Sequence, residues 1–194
     1  MLFRSTATMA RMELHFDGEK GGSIVLENTH GRNLFVNVQL DGIPLDQQVK
    51  DEASDLKMTV RYLTMDGRPI DPSRVEQGTD FMAELTIAHP GIRSSYKELA
   101  LTQMFPSGWE IRNLRLDNME SSKMKSKPDY QDIRDDRVYS YFGLEKSETK
   151  TFVVMLNAAY LGEFFLPAVY CEAMYDNGIH ATKAGKWVKV VRQN

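Results

Sequence analysis

Apolar and polar side chains alternate with a period of two along most of this chain, the signature of half-buried β-strands. Leu34, Val36, Val38 and Leu40 alternate with Asn33, Asn37, Gln39 and Asp41, with Phe35 interrupting the polar face. Met58, Val60 and Tyr62 alternate with Lys57, Thr59 and Arg61, and Phe81, Ala83, Leu85 and Ile87 oppose Asp80, Glu84 and Thr86. Val153, Met155 and Asn157 alternate with Phe152, Val154 and Leu156, so this strand is apolar on both sides and is expected at the centre of a sheet. Trp187 to Val191 forms a closing strand. Roughly a dozen such segments can be counted, each bounded by turn residues.

The turn residues fall between the apolar runs: Asp17-Gly18, Gly21-Gly22, Asp41-Gly42, Asp66-Gly67, Gln77-Gly78, Ser107-Gly108, Leu161-Gly162, Asn177-Gly178 and Ala184-Gly185. Glycine and its Asn or Asp neighbours tolerate the positive φ that tight hairpin turns require. Only residues 46–57 (DQQVKDEASDLK) read as a short helical turn. With no helices long enough to connect parallel strands, the pattern predicts an all-β, antiparallel sandwich or barrel. Residues 117–129 (DNMESSKMKSKPD) are rich in charge and poor in apolar side chains, so they are expected to form a solvated, mobile loop. A domain edge is expected near residues 44–55, where charged and amide side chains follow Pro44.

Composition removes several functional classes. With 24 Lys and Arg against 27 Asp and Glu, the net charge is −3, and there is no basic excess to drive nucleic-acid binding. The longest apolar run, Phe152–Leu156, is far short of the ~20 residues a membrane-spanning helix needs. Membrane insertion is therefore not expected of this chain. Residues 1–9 lack the apolar core of a signal peptide. The lone Cys171 precludes an internal disulfide framework or a cysteine-rich zinc site.

Catalytic and cofactor signatures are also missing. His15, His30, His89 and His180 show no metal-ligand spacing. There is no P-loop, no G-x-G-x-x-G and no G-x-S-x-G elbow, so neither an enzyme nor a cofactor is expected. No basic or histidine neighbour activates Cys171, which reads as an inert strand thiol. The densest charge constellation is Asp132-Ile133-Arg134-Asp135-Asp136-Arg137. Adjacent carboxylates can bind a cation, and an exposed charged cluster can serve an interface. The bracketing arginines favour a third reading, a turn entering the Val138–Leu144 strand that is locked by Arg–carboxylate forks. Trp109 and the tyrosines Tyr130, Tyr139, Tyr141, Tyr160, Tyr170 and Tyr175 lack interleaved basic residues and read as core and interface side chains.

Several segments in order carry a family resemblance. They are Met104–Asn113 (MFPSGWEIRN), Tyr130–Val138 (YQDIRDDRV), Phe152–Leu156, Gly162–Val169 (GEFFLPAV), Glu172-Ala173-Met174-Tyr175 and Ile179-His180-Ala181. The set resembles the C-terminal macroglobulin-like domain of bacterial alpha-2-macroglobulins, with its LPAG(L/W)EI-N, RDDR and E-x-MY segments. Phe105 and Ser107 depart conservatively from the Leu and Ala common there. The stretch Asn33–Val38 leading to Gly42-Ile43-Pro44 resembles a strand of the CUB-like domain that accompanies such domains.

The resemblance implies a macroglobulin-type sandwich over residues 46–194, preceded at 1–45 by trailing strands of a split, incomplete CUB-like domain. It implies a non-catalytic structural and interaction domain of a protease trap. Such a domain would pack against the thioester and CUB-like domains of an exported parent in the periplasm or cell envelope, and would meet target proteases only through that parent. On this reading the missing signal peptide reflects a piece of a longer exported protein. Cys171 is followed by Glu172-Ala173-Met174, so no Cys-x-Glu-Gln thioester motif lies in this chain. Tyr130, Arg134, Asp135, Asp136, Arg137 and Tyr175 are the candidates for the docking face. The alternative is a stand-alone exported sandwich that binds a protein or glycan through the 117–129 loop.

Overall fold

A computed structural model describes residues 11–13, 24–29, 31, 33–38, 49–112 and 126–193. The chain divides into two compact units, residues 1–44 and 45–194. In the first unit, residues 24–29 and 33–38 carry no strand. The strand expected over Leu34–Leu40 therefore does not form at its described positions, while Gln39 and Leu40 lie outside the described residues. Alternation specifies a strand only where a second strand pairs with it. Here Phe35 is 92% exposed and Val25 87%.

The second unit contains all the described strands. In chain order these are β1 (Glu52–Ser54), β2 (Lys57–Thr64), β3 (Arg74–Glu76), β4 (Asp80–Ala88), β5 (Tyr96–Met104), β6 (Trp109–Arg112) and β7 (Tyr130–Ile133). They continue with β8 (Arg137–Leu144), β9 (Thr149–Ala158), β10 (Gly162–Leu166), β11 (Val169–Ala173), β12 (Asp176–Lys183) and β13 (Lys186–Val191). No helix occurs among the described residues. The strands form a six-stranded sheet, β1-β12-β11-β5-β8-β7, a four-stranded sheet, β2-β4-β9-β6, and a three-stranded sheet, β10-β13-β3. Every ladder is antiparallel except β13–β3. The doubly apolar β9 lies between β4 and β6, the central position its sequence predicts.

One core joins the sheets. Phe81, Leu85 and Ile87 from β4, Leu99 and Leu101 from β5, Phe142 from β8 and Leu156 from β9 are all fully buried. Phe142 and Phe152 meet across the sandwich with ring centroids 4.6 Å apart. Trp109 sits edge-on to Phe81 at 5.0 Å and to Tyr62 at 5.9 Å, tying β6, β4 and β2 together.

Three sequence expectations are corrected in this unit. Residues 46–57 do not form a helical turn where they are described. Glu52, Ala53 and Ser54 pair with Thr182, Ala181 and His180 as β1, and Asp55 at φ 50° turns the chain into β2. A ladder to β12 overrides the weak local helix preference. Asn177-Gly178 is not a turn but lies inside β12. The reversal occurs three residues earlier, at Met174-Tyr175, where the Asp176 carboxylate accepts from Gly178 N at 2.9 Å and is held by Arg93 at 3.0 Å. Glu84, one of the polar positions opposing the apolar set of β4, is buried, as is Met82 on the same face. Glu84 is paired with Arg61 on the neighbouring strand. Gly67 and Gly78, by contrast, take the positive φ expected of turn glycines, 87° and 81°. Most of the 117–129 segment, residues 117–125, lies outside the described residues, as do His15 and His30.

Gln103 is the polar surprise of the core. It follows Leu99 and Leu101 on the inner face of β5, is fully buried, and neither end of its amide has a hydrogen-bond partner among the described residues. An unpaired buried polar group costs about 1–3 kcal/mol, whereas an apolar side chain of similar shape does not. Gln103→Leu should therefore raise unfolding free energy by about 1 kcal/mol or more in a urea titration. A loss of stability would show that the amide is satisfied in solution.

Candidate interaction surface

The outer face of the six-stranded sheet is set by the register of its ladders. Ser54, His180, Glu172, Ala100, Tyr141 and Tyr130 stand opposite one another in a row that crosses the whole sheet. The next row is Glu52, Thr182, Tyr170, Thr102, Tyr139 and Asp132. Residues directly opposite share a face, so Tyr130, Tyr139, Tyr141 and Tyr170 all point away from the core. The local sequence explains this. In β8, Val138, Ser140, Phe142 and Leu144 are buried, while the intervening Tyr139 and Tyr141 are only half-buried. Small Ala100 and Thr102 keep the middle of the face low. The rings of Tyr130 and Tyr141 pack with centroids 5.9 Å apart, and Tyr130 remains 63% exposed.

The Asp132–Arg137 segment forms the β7–β8 hairpin at one end of this face. It closes through Arg134 N donating to Arg137 O at 2.9 Å. Arg137 grips Asp136 with a two-pronged fork, Nε to Oδ1 at 2.7 Å and Nη2 to Oδ2 at 2.6 Å. Arg134 Nε donates to Asp132 Oδ2 at 3.0 Å. The Asp136 carbonyl accepts from Phe105 N at 2.8 Å, which fixes the hairpin to the end of β5. The hydrogen bond from Arg137 is the main reason the Asp136 carboxyl lies below the usual carboxylate range. Both arginines also reach Tyr139: Arg134 lies over its ring at 5.8 Å, and Arg137 Nη1 donates to its hydroxyl at 3.4 Å. Asp135 is exposed and makes no ion pair among the described residues. The cluster is thus a fork-locked turn that orients a tyrosine.

The six candidate residues do not gather in one place. Tyr130, Arg134, Asp135, Asp136 and Arg137 belong to the β7–β8 corner. Tyr175 is 86% exposed in the β11–β12 turn, at the opposite end of the sheet. Ala173 pairs with Leu99, and Arg137 with Met104, five residues along β5, which is about 17 Å at strand spacing. Tyr139, Tyr141 and Tyr170, which the sequence groups with the core and interface aromatics generally, join the outer face. The alternation Val138-Tyr139-Ser140-Tyr141-Phe142 is the signal that assigns the first two of them there.

Elsewhere the chemistry is quiet. Among the described residues no group of three His, Cys, Asp or Glu side chains is arranged to hold a metal. His89 is buried and stacked on Tyr96 at 3.8 Å. Its Nδ1 accepts from Gly91 N at 2.8 Å, so Nε2 carries the proton and donates to Ser94 O at 2.7 Å. Both ring nitrogens therefore serve the 89–95 loop. Cys171 is fully buried on the inner face of β11, and burial pushes its thiol up to about 12. Native protein at pH 8 should consequently leave a thiol reagent unreacted until denaturant is added, as a spectrophotometric thiol assay would show. Prompt stoichiometric reaction would contradict the inert assignment. No helix among the described residues is long and apolar enough to cross a membrane.

Comparison with known proteins places this geometry. The family described as "Bacterial Alpha-2-macroglobulin MG10 domain" matches residues 56–177, from the start of β2 into β12. The chain belongs to this family. Among curated relatives, the MG10-type chain is 27% identical over 162 residues to the alpha-2-macroglobulin homolog of Yersinia pestis, a match covering 72% of this chain and 8% of the relative. It is 30% identical over 131 residues to the alpha-2-macroglobulin of Rickettsia conorii, covering 66% of this chain and 7% of that protein. The native conformation of Escherichia coli alpha-2-macroglobulin superposes with a TM-score of 0.66 at 20% identity, over 77% of this chain and 10% of the solved one. Salmonella alpha-2-macroglobulin reacted with methylamine gives 0.65 at 20% identity, over 75% and 10%. The MG10-type chain thus spans a tenth or less of these relatives, and its fold is that of one macroglobulin sandwich within them.

Proposed function

We propose that this MG10-type domain is a non-catalytic structural and interaction unit of a bacterial alpha-2-macroglobulin-like protease inhibitor, and that it docks on the rest of its parent through the tyrosine-bearing face of the six-stranded sheet. The observation that carries this reading is the alignment of Tyr130, Tyr139, Tyr141 and Tyr170 on one outward face, with Arg134 and Arg137 holding Tyr139 at its edge. Tyr and Arg are the residue types that dominate interface energetics, and a ring already braced by two guanidinium groups loses little freedom on docking. The neighbouring thioester and CUB-like domains of an exported parent are the proposed partners, and target proteases are met only through that parent. Residues 1–45 are assigned to the trailing part of the CUB-like domain. Exposed Val25, Phe35 and Val38 would then be covered by the other half of that domain.

The double variant Arg134→Ala/Arg137→Ala tests the assignment. The forks are exposed and the backbone also closes through Arg134 N to Arg137 O, so unfolding free energy should fall only by the small amount that exposed ion pairs contribute. Association of the separately produced chain with a parent lacking this domain should weaken about tenfold by calorimetry, because the substitutions restore to the Tyr139 ring the freedom it must lose on docking and remove two interface arginines. Unchanged affinity would remove the cluster from the interface.

A further inference from the structure

β2 is the outermost strand of its sheet, and β4 is its one partner strand among the described residues. The 68–70 segment folds back on the outer edge at Tyr62–Thr64, with Thr64 N donating to Arg68 O at 2.8 Å. In an antiparallel pair, residues alternate between positions that exchange both backbone bonds with the partner and positions whose N–H and C=O point the other way. Tyr62, opposite Ala83, is of the second kind, because its carbonyl accepts from Ile70 N at 3.0 Å on the outer edge. The two-residue period then turns the N–H and C=O of Val60 outward as well. Among the described residues no backbone group pairs with Val60 on that edge or with Tyr62 N.

This edge opens into a cavity of about 350 Å³. Its walls are apolar, made by Tyr62, Ile70, Pro72, Leu166, Pro167 and Val169. Every charged side chain that lines it is cationic: Arg61, Lys183 and Lys186. Arg61 is paired with Glu84 and Lys183 with Asp51, whereas Lys186 has the Asp71 carboxylate near it but beyond ion-pair distance. The cavity therefore offers unpaired strand donors and acceptors, an apolar floor and a positive rim.

A small carboxylate would meet the rim and leave the backbone edge unused. An extended peptide meets all three: main-chain bonds to the edge, apolar side chains on the floor, and carboxylates toward the lysines. We propose that the outward backbone groups of β2 left unpaired among the described residues, the N–H and C=O of Val60 and the N–H of Tyr62, take up a short extended peptide segment with alternating apolar and acidic side chains, added as a further strand to the four-stranded sheet beside residues 68–70. The segment supplies the backbone partners that an edge strand otherwise exposes. Lys186 reads its charge, and Pro72 and Pro167 give the cavity stiff walls. This site is separate from the tyrosine face and does not depend on the docking assigned there.

The test uses the whole chain, isotopically labelled, with acetylated and amidated Val-Glu-Val-Glu-Val as the probe. Saturable shifts are expected at the Val60 and Tyr62 amides, and their exchange with solvent should slow about tenfold at nine-tenths saturation. The Val-Lys-Val-Lys-Val counterpart should bind at least about tenfold more weakly, and Lys186→Glu should narrow or reverse that preference. Three results would overturn the proposal. One is the absence of saturable shifts at millimolar peptide, and another is equal affinity for the two peptides. The third is undiminished binding of a Val-Glu peptide N-methylated at alternate residues, which would show that no strand is being added.

Discussion

Trp109→Ala should lower the unfolding free energy by about 3–5 kcal/mol, the largest loss expected from any single truncation discussed for this domain. Trp109 is almost wholly buried at the start of β6, and two aromatic partners, Phe81 and Tyr62, meet its ring edge-on. Removing it opens a cavity where three strands of the four-stranded sheet converge, and strands cannot close on it without breaking ladders. Each kcal/mol corresponds to about 2–4 °C in Tm at this size, so a fall of roughly 6–20 °C is expected by calorimetry. Its indole N–H has no hydrogen-bond partner among the described residues. Trp109→Phe should accordingly keep most of the packing without a polar penalty and cost less than about 2 kcal/mol. Equal losses for the two variants would mean that the indole nitrogen, not ring packing, holds this corner.

Gly108→Val, one residue earlier, should cost about 1–3 kcal/mol by overpacking. A Cβ at Gly108 would stand 2.3 Å from the Phe164 ring, so the ring has to leave its place against the core. The Gly108 carbonyl also accepts from Ala159 N at 3.0 Å and Tyr160 N at 3.1 Å, and a displaced backbone would strain both bonds. The cause can be isolated by a double-mutant cycle. Phe164→Ala is destabilising alone, yet combined with Gly108→Val it should cost clearly less than the sum, with a coupling above about 1 kcal/mol in urea titrations. Strict additivity would show that the valine acts through the backbone and not through the ring.

These two positions also show what is legible in the sequence. Ser107-Gly108 reads as a turn, and a turn it is, but the need for glycine comes from the ring of a residue 56 positions away in the chain, since 164 − 108 = 56. Period-two alternation locates most strands because the side-chain period of a strand is fixed by its geometry. It identifies β9 as central because both its faces are apolar. It misplaces residues 33–38, since alternation without a pairing partner forms no ladder. Residues 46–57 have the composition of a helical turn, but residues 52–54 gain more from the edge of β12. Asn177-Gly178 has the right composition for a turn, yet the reversal lies at Met174-Tyr175, where Asp176 is held by Arg93, a pair whose meeting depends on tertiary structure.

The candidate surface divides in the same way. The Asp132–Arg137 forks are readable because donors and acceptors lie within one hairpin. The inward or outward direction of Tyr139 and Tyr141 is readable from their neighbours. Which strands flank them is not, because strand order sets residues as distant in the chain as Tyr130 and Glu172 in one row across the sheet. The separation of Tyr175 from the hairpin follows from the ladder registers, which set Ala173 against Leu99 and Arg137 against Met104. Gln103 is hidden as a core residue because its position in the alternation is the only sign of burial, and its side chain argues the other way.

The central claim is that the tyrosine face is covered in the parent and bare in the isolated chain. Covalent tyrosine labelling, quantified by peptide mass spectrometry, tests it directly when the 194-residue chain and the full-length parent are labelled side by side. Tyr130, Tyr139 and Tyr141 should label readily in the isolated chain and become several-fold protected in the parent, while exposed Tyr160, beyond β9, stays reactive in both as the internal control. Equal labelling of Tyr130, Tyr139 and Tyr141 in the two samples would contradict the account.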